Sequence, residues 1–175
     1  YDVKEGYLVD ALLGNHDFIG VGPENPYGNI VASADGRKYR IDNGGSLYKK
    51  GTGTDKSFGG AEDHKVPLPE LAGFKDASMN PRAARVFGEM SKEDMHNAFK
   101  KLAKLDNTTI SNMVYKSGIP PYKMDSLAQA LISRRNNIVQ HLADTNQLFD
   151  HYGNPTDFKG AEREYSLRKA DSIYE

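Results

Sequence analysis

The first apolar segment of the chain is short and ends at a glycine. Residues 7–13 are apolar except for Asp10, and Gly14 follows directly. Because a glycine in this position commonly terminates a helix, the pattern predicts a short buried helix over residues 7–13. The next segment, residues 15–28, is rich in Gly, Pro and Asn and is longer than most connections, which is typical of a functional loop.

Two β-prone runs surround an Asp-Gly pair in the following segment. The runs are residues 29–33 and 37–42, and Asp35 and Gly36 lie between them. Asp-Gly between such runs is a strong signal for a hairpin. We therefore predict an antiparallel hairpin whose second strand ends at Asp42.

The rest of the chain predicts a long irregular stretch and then packed helices. Residues 49–81 are rich in Gly, Lys, Asp and Pro and show no periodicity, which favours a loop. Apolar residues later recur at helical spacing and predict three or four helices. Ser91 should cap the first, Thr108 or Thr109 the second, Asp125 or Ser126 should open the longest, and residues 161–173 should form a charged last helix or tail.

The longest of these helices has one apolar stripe that should face the core. Its members are Leu127, Leu131, Ile138 and Leu142. The charged side chains nearby and in the preceding loop are expected to be exposed to solvent, with contact to a phosphate as the alternative for the loop lysines. They are Arg134 and Arg135 on the helix and Lys49, Lys50 and Lys56 in the loop.

Length and composition favour one soluble domain. The chain has 175 residues, a net charge of −1 and no cysteine. The charge argues against a general nucleic-acid surface, and the missing thiols exclude disulfides and thiolate metal sites. No apolar run reaches the ~18 residues of a membrane span. We expect a mainly helical α+β domain in three parts, residues 1–48, 49–81 and 82–175, and leave a cytoplasmic or secreted location open.

Three polar residues of the first part should converge on one point. Asp17 lies in the loop after the first helix, Asn29 opens the first strand, and Asp42 closes the second. Paired strands lie about 5 Å apart, so the two open ends of a hairpin are neighbours. Two carboxylates and an amide form a hard oxygen-donor set, which suits Mg²⁺ or Mn²⁺. Gly44 and Gly45 follow and would let the backbone approach phosphate oxygens.

These segments resemble the C-terminal lobe of atypical kinases, the group that includes phosphoinositide 3- and 4-kinases and HipA-like kinases. The resemblance rests on residues 13–17, 29–31 and 39–45 and covers residues 7–47, about a quarter of the chain. It implies Mg²⁺-dependent phosphoryl transfer from ATP to an unknown acceptor. By this resemblance Asp17 is the catalytic aspartate with His16 beside it, Asn29 and Asp42 are metal ligands, and Gly44 and Gly45 bind the nucleotide.

Two spacings complicate the resemblance. Asp17 and Asn29 are twelve residues apart, where kinase loops have about five, so Asn25 is an alternative ligand. Sixteen residues before Asp17 cannot form the lobe that grips adenine and covers the phosphates. We therefore expect the chain to be a piece of a larger kinase, to act with a partner chain, or to have lost activity.

Other interpretations stay open at this stage. Asp and Asn are favoured in turns because they bond their own backbone, and His16 could be a packed helix-end histidine. A helical interaction or effector module with a degenerate kinase fold is the main alternative. The run from Gly14 to Asp17 also resembles a block of calcineurin-like metallophosphoesterases, although the Asp-x-His and Gly-Asp-x-x-Asp motifs of that family do not precede the run and the sequence has no Gly-His pair.

Overall fold

A computed structural model describes residues 3–19, 28–50, 52–60 and 67–167. Within these ranges the protein has seven helices and one two-stranded sheet, which confirms a mainly helical α+β composition. The elements are α1 (Tyr7–Leu13), β1 (Ile30–Ala32), β2 (Lys38–Arg40), α2 (Pro69–Gly73), α3 (Pro81–Phe87), α4 (Lys92–Leu102), α5 (Asn107–Tyr115), α6 (Pro121–Asp144) and α7 (Phe158–Tyr165).

Helix α1 has the predicted length and lies at the centre of the fold. It follows a short 3₁₀ helix, Val3–Gly6, and ends at Gly14, whose φ of 59° is left-handed. Leu8, Ala11 and Leu12 are buried, and the helix packs against α4 and α6. Gly14 can end the helix at this point because a glycine adopts positive φ without strain.

The predicted hairpin is confirmed, with shorter strands than the sequence suggested. Strands β1 and β2 pair antiparallel, with Ile30 opposite Arg40 and Val31 opposite Tyr39. The turn is held by the backbone N–H of Gly36, which donates to the carbonyl of Ser33 at 2.9 Å. The open end of the hairpin therefore carries the segments that precede Ile30 and follow Arg40.

Helix starts agree with the sequence where one capping side chain dominates. Ser91 caps α4 through a reciprocal capping box with Asp94, as expected. The cap of α5 is Asp106 rather than Thr108 or Thr109, because its carboxylate accepts the N–H of Thr109 at 2.7 Å. Helix α6 begins about one turn earlier than expected, since a proline at the first helical position is pre-organised for the helix.

Two short helices were missed in and just after the stretch predicted to be irregular. Helices α2 and α3 each have a proline at the first position, and Asn80 caps α3 by accepting the N–H of Ala83 at 2.9 Å. Leu71, Ala83 and Phe87 bury their side chains in the core. Both helices are stabilised by tertiary burial, which a short window without periodicity does not reveal.

The stripe of α6 is buried as predicted, but the two arginines beside it are not exposed. Arg134 is 2% exposed and Arg135 is fully buried. Arg135 donates to the carbonyl of Leu105 at 2.9 Å and to Asn107 Oδ1 at 2.7 Å. A central helix is covered on several sides, and a guanidinium can be buried there because it has five donors.

The last helix also differs from the expected range. Helix α7 starts earlier than residue 161, because Asp157 caps it by accepting the N–H of Gly160 at 2.7 Å. The expected continuation beyond residue 167 lies outside the described residues. Among the described helices, none has both the length and the apolar character that crossing a bilayer requires.

Candidate functional site

The loop after α1 is anchored by an aromatic residue next to Asp17. Phe18 is fully buried, and its ring packs 5.4 Å from that of Phe74 and 5.5 Å from that of Phe87, measured between centroids. His16, on the other side of Asp17, is exposed and also lies edge-on to Phe74 at 5.4 Å. The loop therefore leaves the core at Phe18 and presents Asp17 at its border.

Asn29 joins this loop to the hairpin. Its side-chain Nδ2 donates to the backbone carbonyl of Asp17 at 3.0 Å, and its backbone N–H donates to the carbonyl of Phe18 at 2.9 Å. Asn29 is buried, and no described residue donates to its Oδ1. The structure thus brings Asp17 and Asn29 together despite their separation, while the alternative ligand Asn25 lies outside the described residues.

Asp42 lies at the same end of the hairpin but turns its carboxylate into its own loop. The N–H of Ile41 donates to the carbonyl of Asn29 at 2.8 Å, so Asp42 directly follows the residue paired with Asn29. Asp42 has a left-handed φ of 49°, and its Oδ1 accepts the N–H of Gly44 at 3.3 Å. In the described chain its carboxylate makes no hydrogen bond to Asn29 or Asp17.

The two glycines after Asp42 form a tight turn against the end of α1. Asn43–Gly45 is a single 3₁₀ turn, Gly44 is exposed and Gly45 is buried. The N–H of Leu47 donates to the carbonyl of Leu13 at 2.8 Å, which ties the turn to the helix. The residues that sequence analysis assigned to the nucleotide therefore lie next to the loop that carries Asp17.

Lys56 holds these two loops together, although we expected it on a solvated face. Its ammonium donates to the carbonyl of Gly14 and to that of Gly45, the second at 2.6 Å. Burial lowers the pKa of Lys56. Lys49 does behave as expected, since its ion pair with Asp55 at 2.5 Å is exposed. Lys56 was missed because its two acceptors are backbone carbonyls far away in sequence.

Arg134 and Glu70 form a buried ion pair close to Gly14. Arg134 donates from Nε to the carbonyl of Leu12 and from Nη2 to that of Ala11, each at 2.8 Å. Its Nη2 also lies 2.8 Å from Glu70 Oε1. The last carbonyls of a helix lack some of their intrahelical donors, so Arg134 supplies donors at the end of α1 in addition to the N–H of Gly14, which the carbonyl of Ala11 accepts at 3.1 Å.

Glu70 connects this pair to His16. The His16 Nε2 lies 3.8 Å from Glu70 Oε1, which is an ion-pair distance. Burial raises the pKa of Glu70, but the contact from His16 and the charge and hydrogen bond of Arg134 outweigh it and bring the pKa to about 2. His16 is therefore placed to orient the loop through Glu70.

A second buried ion pair fixes the hairpin to α1. Asp10 is 1% exposed, and Arg40 at the end of β2 contacts both of its carboxylate oxygens. Burial raises the pKa of Asp10 and the neighbouring Arg40 lowers it again, with a result of about 6. A β-carbon at Gly6 would collide with the guanidinium of Arg40, so a glycine is needed there.

The hairpin leaves an apolar face uncovered beside the open end. Val31, Tyr39 and Ile41 are 42%, 47% and 46% exposed. Val31 and Tyr39 are paired across the strands, and Ile41 follows Tyr39 on the same face because side chains alternate along a strand. Asn29 and Asp42 adjoin this face through Ile41, which precedes Asp42 and donates its N–H to the carbonyl of Asn29.

The oxygen donors of this region are of the chemical type that binds divalent cations. Asp17, Asn29 and Asp42 offer carboxylate and amide oxygens, which Mg²⁺ and Mn²⁺ prefer. Among all the described residues, this region included, no group of three or more His, Asp or Glu side chains is arranged to hold a metal ion. The region thus combines hard oxygen donors, a glycine turn and an apolar face.

Comparisons of the chain with protein-family models, with curated proteins and with solved structures gave no match in any of the three.

Proposed function

We propose that this chain is the catalytic-loop lobe of a kinase-like phosphotransferase that uses ATP and Mg²⁺ or Mn²⁺. The observation that carries the proposal is the joint position of three residues. The hairpin register and the Ile41 N–H place Asn29 beside Asp42, while the amide of Asn29 binds the backbone of Asp17. Phosphoryl transfer depends mostly on such positioning of charge around the phosphates.

Each residue has a distinct role in this proposal. Asn29 Oδ1 and the Asp42 carboxylate would hold the metal ion, which neutralises charge on the phosphates. Asp17 would accept the proton of the acceptor hydroxyl while the hydroxyl oxygen bonds to the γ-phosphorus. The bond between that phosphorus and the bridging oxygen would break, and ADP would leave with its electrons. The Asp42 carboxylate must leave the N–H of Gly44 to reach a metal, and the 3.3 Å length of that hydrogen bond makes this rotation inexpensive.

The apolar face of the hairpin supports a nucleotide as the ligand. Val31, Tyr39 and Ile41 offer a surface on which a planar base could pack, directly beside the proposed metal ligands. Gly44 is exposed at the same end and its N–H points into its own turn, so a small rearrangement would free it for a phosphate oxygen. The acceptor can be a lipid, a protein or a small molecule.

We propose that His16 acts as a positioning residue rather than as a proton acceptor. Its ring packs on Phe74 and its Nε2 faces Glu70, so it stabilises the loop that carries Asp17. We also propose that turnover needs a second lobe, in the same polypeptide or a partner chain, that grips the base.

Ligand-induced stabilisation tests the proposal without requiring turnover. Ligand at about 100 times its dissociation constant adds about 2.7 kcal/mol to the free energy of unfolding. We expect ATP with Mg²⁺ to raise the Tm by roughly 5–10 °C. Asp42→Asn should abolish most of this rise, whereas Asp35→Asn, at the other end of the hairpin, should keep it. An unchanged Tm for the parent chain, or equal rises in both variants, would refute the assignment.

A non-catalytic interaction module is the second candidate, and the same apolar face favours it. Val31, Tyr39 and Ile41 would then be covered by another protein. The Tm measurement separates the two, because a protein-binding face gains nothing from ATP and Mg²⁺. Tyr39→Ser should weaken ATP binding under the first proposal, while under the second it should affect a protein partner alone.

A further inference from the structure

The protein has a cleft whose lining residues are not those of the candidate site. It has a volume of about 370 Å³ and lies between the α2–α3 connection, the start of α4 and the loop after α6. Lys75, Lys92, Met90, Met95 and Phe149 contribute to its walls. Small-molecule sites commonly have volumes of about 300–1,000 Å³. None of the cleft residues belongs to the proposed phosphotransferase site, so the inference is independent of that proposal.

The two lysines of the cleft rest on aromatic rings. Lys75 Nζ lies 5.3 Å from the centroid of the Tyr7 ring, and Lys92 Nζ lies 4.9 Å from that of Phe149. In the part of the chain that the structure describes, no Asp or Glu lines the cleft or pairs with either ammonium. An aromatic ring attracts a cation but does not neutralise it, so both positive charges remain.

Two acidic residues near the cleft in sequence, Asp94 and Asp150, are engaged elsewhere. Asp94 accepts a hydrogen bond from Lys4 Nζ at 2.8 Å. Asp150 accepts the backbone N–H groups of Tyr152 and Asn154 at 2.9 and 2.8 Å. These two carboxylates are held in an ion pair and in a turn, so among the described residues the charged side chains that line the cleft are those of Lys75 and Lys92.

Burial makes one of these cations sensitive to an added anion. Lys75 is half-buried, and that desolvation lowers its pKa. A partly desolvated cation without a carboxylate partner is stabilised by any anion that reaches it. Ser91, which caps α4, and Lys92, its first residue, both line the cleft.

Two side-chain amides also line the cleft and are available to bind a ligand. Asn146 and Gln147 line the cleft, and within the described residues their side-chain amides make no hydrogen bond. Asn146 has a left-handed φ of 55°, a backbone conformation that non-glycine residues adopt at some cost. The cleft is thus lined by two adaptable amide groups as well as by the two lysines.

We propose that this cleft binds a small organic anion. One carboxylate or phosphate-monoester group would lie between Lys75 and Lys92, and an apolar body attached to it would pack on Met90, Met95 and Phe149. The methionines suit this role because their flexible side chains adapt to ligands of different shape. The arrangement explains why two cations share a cleft with methionine and phenylalanine side chains.

The five methionines of the chain provide a site-resolved test. Met90 and Met95 line the cleft, whereas Met79 and Met113 are exposed outside it. Methyl NMR spectra of the full chain would be followed during titration with phenyl phosphate, phenylacetate, inorganic phosphate and benzyl alcohol. We expect one of the two aromatic anions to shift the Met90 and Met95 signals with a dissociation constant on the order of 1 mM.

The other probes separate the alternatives. Inorganic phosphate and benzyl alcohol should each bind about tenfold more weakly, because phosphate lacks the apolar body and benzyl alcohol lacks the anionic group. The preferred aromatic anion distinguishes a phosphate site from a carboxylate site. Equal binding of benzyl alcohol would show an apolar cleft without anion recognition, and silent Met90 and Met95 signals would show no site; both results overturn the proposal.

Variants of the lysines complete the test. Lys75→Gln and Lys92→Gln should each weaken the binding of the aromatic anion by about fivefold. Lys100→Gln is the matched control, because Lys100 is exposed on the same helix and does not line the cleft. An unchanged Met113 signal would verify that each variant is folded. Affinities like that of the parent in both cleft variants would overturn the proposal.

Discussion

The guanidinium of Arg40 binds the buried carboxylate of Asp10 with three short contacts. Its Nε lies 2.9 Å from each carboxylate oxygen, and its Nη2 lies 2.5 Å from Oδ2. Asp10 belongs to α1 and Arg40 is the last residue of β2. The pair therefore fixes the open end of the hairpin on the helix, and Asp42 follows two residues later.

Removing the cation should destabilise the protein strongly at alkaline pH. Arg40→Met leaves the Asp10 carboxylate buried without its partner, which should cost about 3 kcal/mol in the free energy of unfolding at pH 8. The loss should be smaller at pH 5, because the pKa of Asp10 is about 6 and the folded protein then holds this group largely neutral. Urea unfolding at the two pH values measures the difference.

A matched arginine on the same hairpin provides the control for this experiment. Arg37 pairs with Asp35 at 3.0 Å, and its side chain is 69% exposed. Arg37→Met should leave the urea midpoint nearly unchanged at both pH values, because water screens such pairs. A similar loss in the two variants would show that burial of the Asp10 pair has no special energetic role.

Glu70 should make the protein sensitive to acid. Its burial raises the pKa, but His16 and Arg134 outweigh that effect, so the folded pKa is about 2 while the ordinary value is 4.5. The lowered pKa contributes stability that is present above pH 4.5 and is lost as the pH falls towards 2. Glu70→Gln should reduce this acid-induced loss in the free energy of unfolding by on the order of 2 kcal/mol.

Urea midpoints for the parent and the Glu70→Gln variant between about pH 5 and 2.5 would test this dependence. Asp10 has the opposite sign, because its raised pKa makes the folded state less stable as the pH rises from about 4 to 6. Comparison of the two proteins cancels the contribution of Asp10. Parallel curves for parent and variant would contradict the role given to Glu70.

Gly14 should tolerate alanine worse than a glycine of similar φ in open space. Its φ is 59°, and a β-carbon would lie 3.3 Å from Glu70 Oε1 and 3.4 Å from Lys56 Nζ. Gly118 has a φ of 78° with nothing within 4 Å, so Gly118→Ala measures the backbone strain alone. Strain should cost each variant about 1–2 kcal/mol, and Gly14→Ala should lose about 1 kcal/mol more. Equal losses in thermal unfolding would exclude the crowding.

Local signals were strong enough to predict the parts of the fold that carry the candidate site. Helix α1 ends at Gly14 and the hairpin turns at Gly36 because glycine relieves positive φ at both positions. Ser91 caps α4 through partners within one turn. The open end of the hairpin followed from pairing alone, so the neighbourhood of Asn29 and Asp42 could be predicted before their contacts were known.

The residues that hold the candidate site together could not be predicted in the same way. Arg134 is 122 residues from its acceptor Leu12, and Lys56 is 42 residues from Gly14. Their acceptors are backbone carbonyls, which carry no sequence signal. Composition therefore suggested exposure for both, whereas tertiary packing gives them backbone carbonyl acceptors at the end of α1 and, for Lys56, also in the turn after Asp42.

Lys56 should couple the stability of the protein to metal affinity. Lys56→Met removes the donor shared by the carbonyls of Gly14 and Gly45, which should cost about 1–3 kcal/mol in urea unfolding. The loops bearing Asp17 and Asp42 would lose their link, so Mn²⁺ affinity should also fall. Lys50→Met, at an exposed position of the same segment, should change neither quantity. Lost stability with unchanged Mn²⁺ affinity would limit Lys56 to a structural role.

Metal binding by the chain without nucleotide should be weak and should depend on Asp42. Mg²⁺ and Mn²⁺ usually complete their coordination with substrate phosphates, so few protein ligands are expected to give modest affinity. Calorimetric titration with Mn²⁺ should release heat with the parent chain and much less with Asp42→Ala. Asp42 is exposed and its carboxylate bonds just one N–H of its own turn, so the substitution should leave the fold intact. Asp35→Ala, which alters the closed end of the same hairpin, should keep the heat of the parent. Equal heats for Asp42→Ala and the parent would exclude Asp42 as a ligand, and with it the metal site on which the proposed phosphoryl transfer depends.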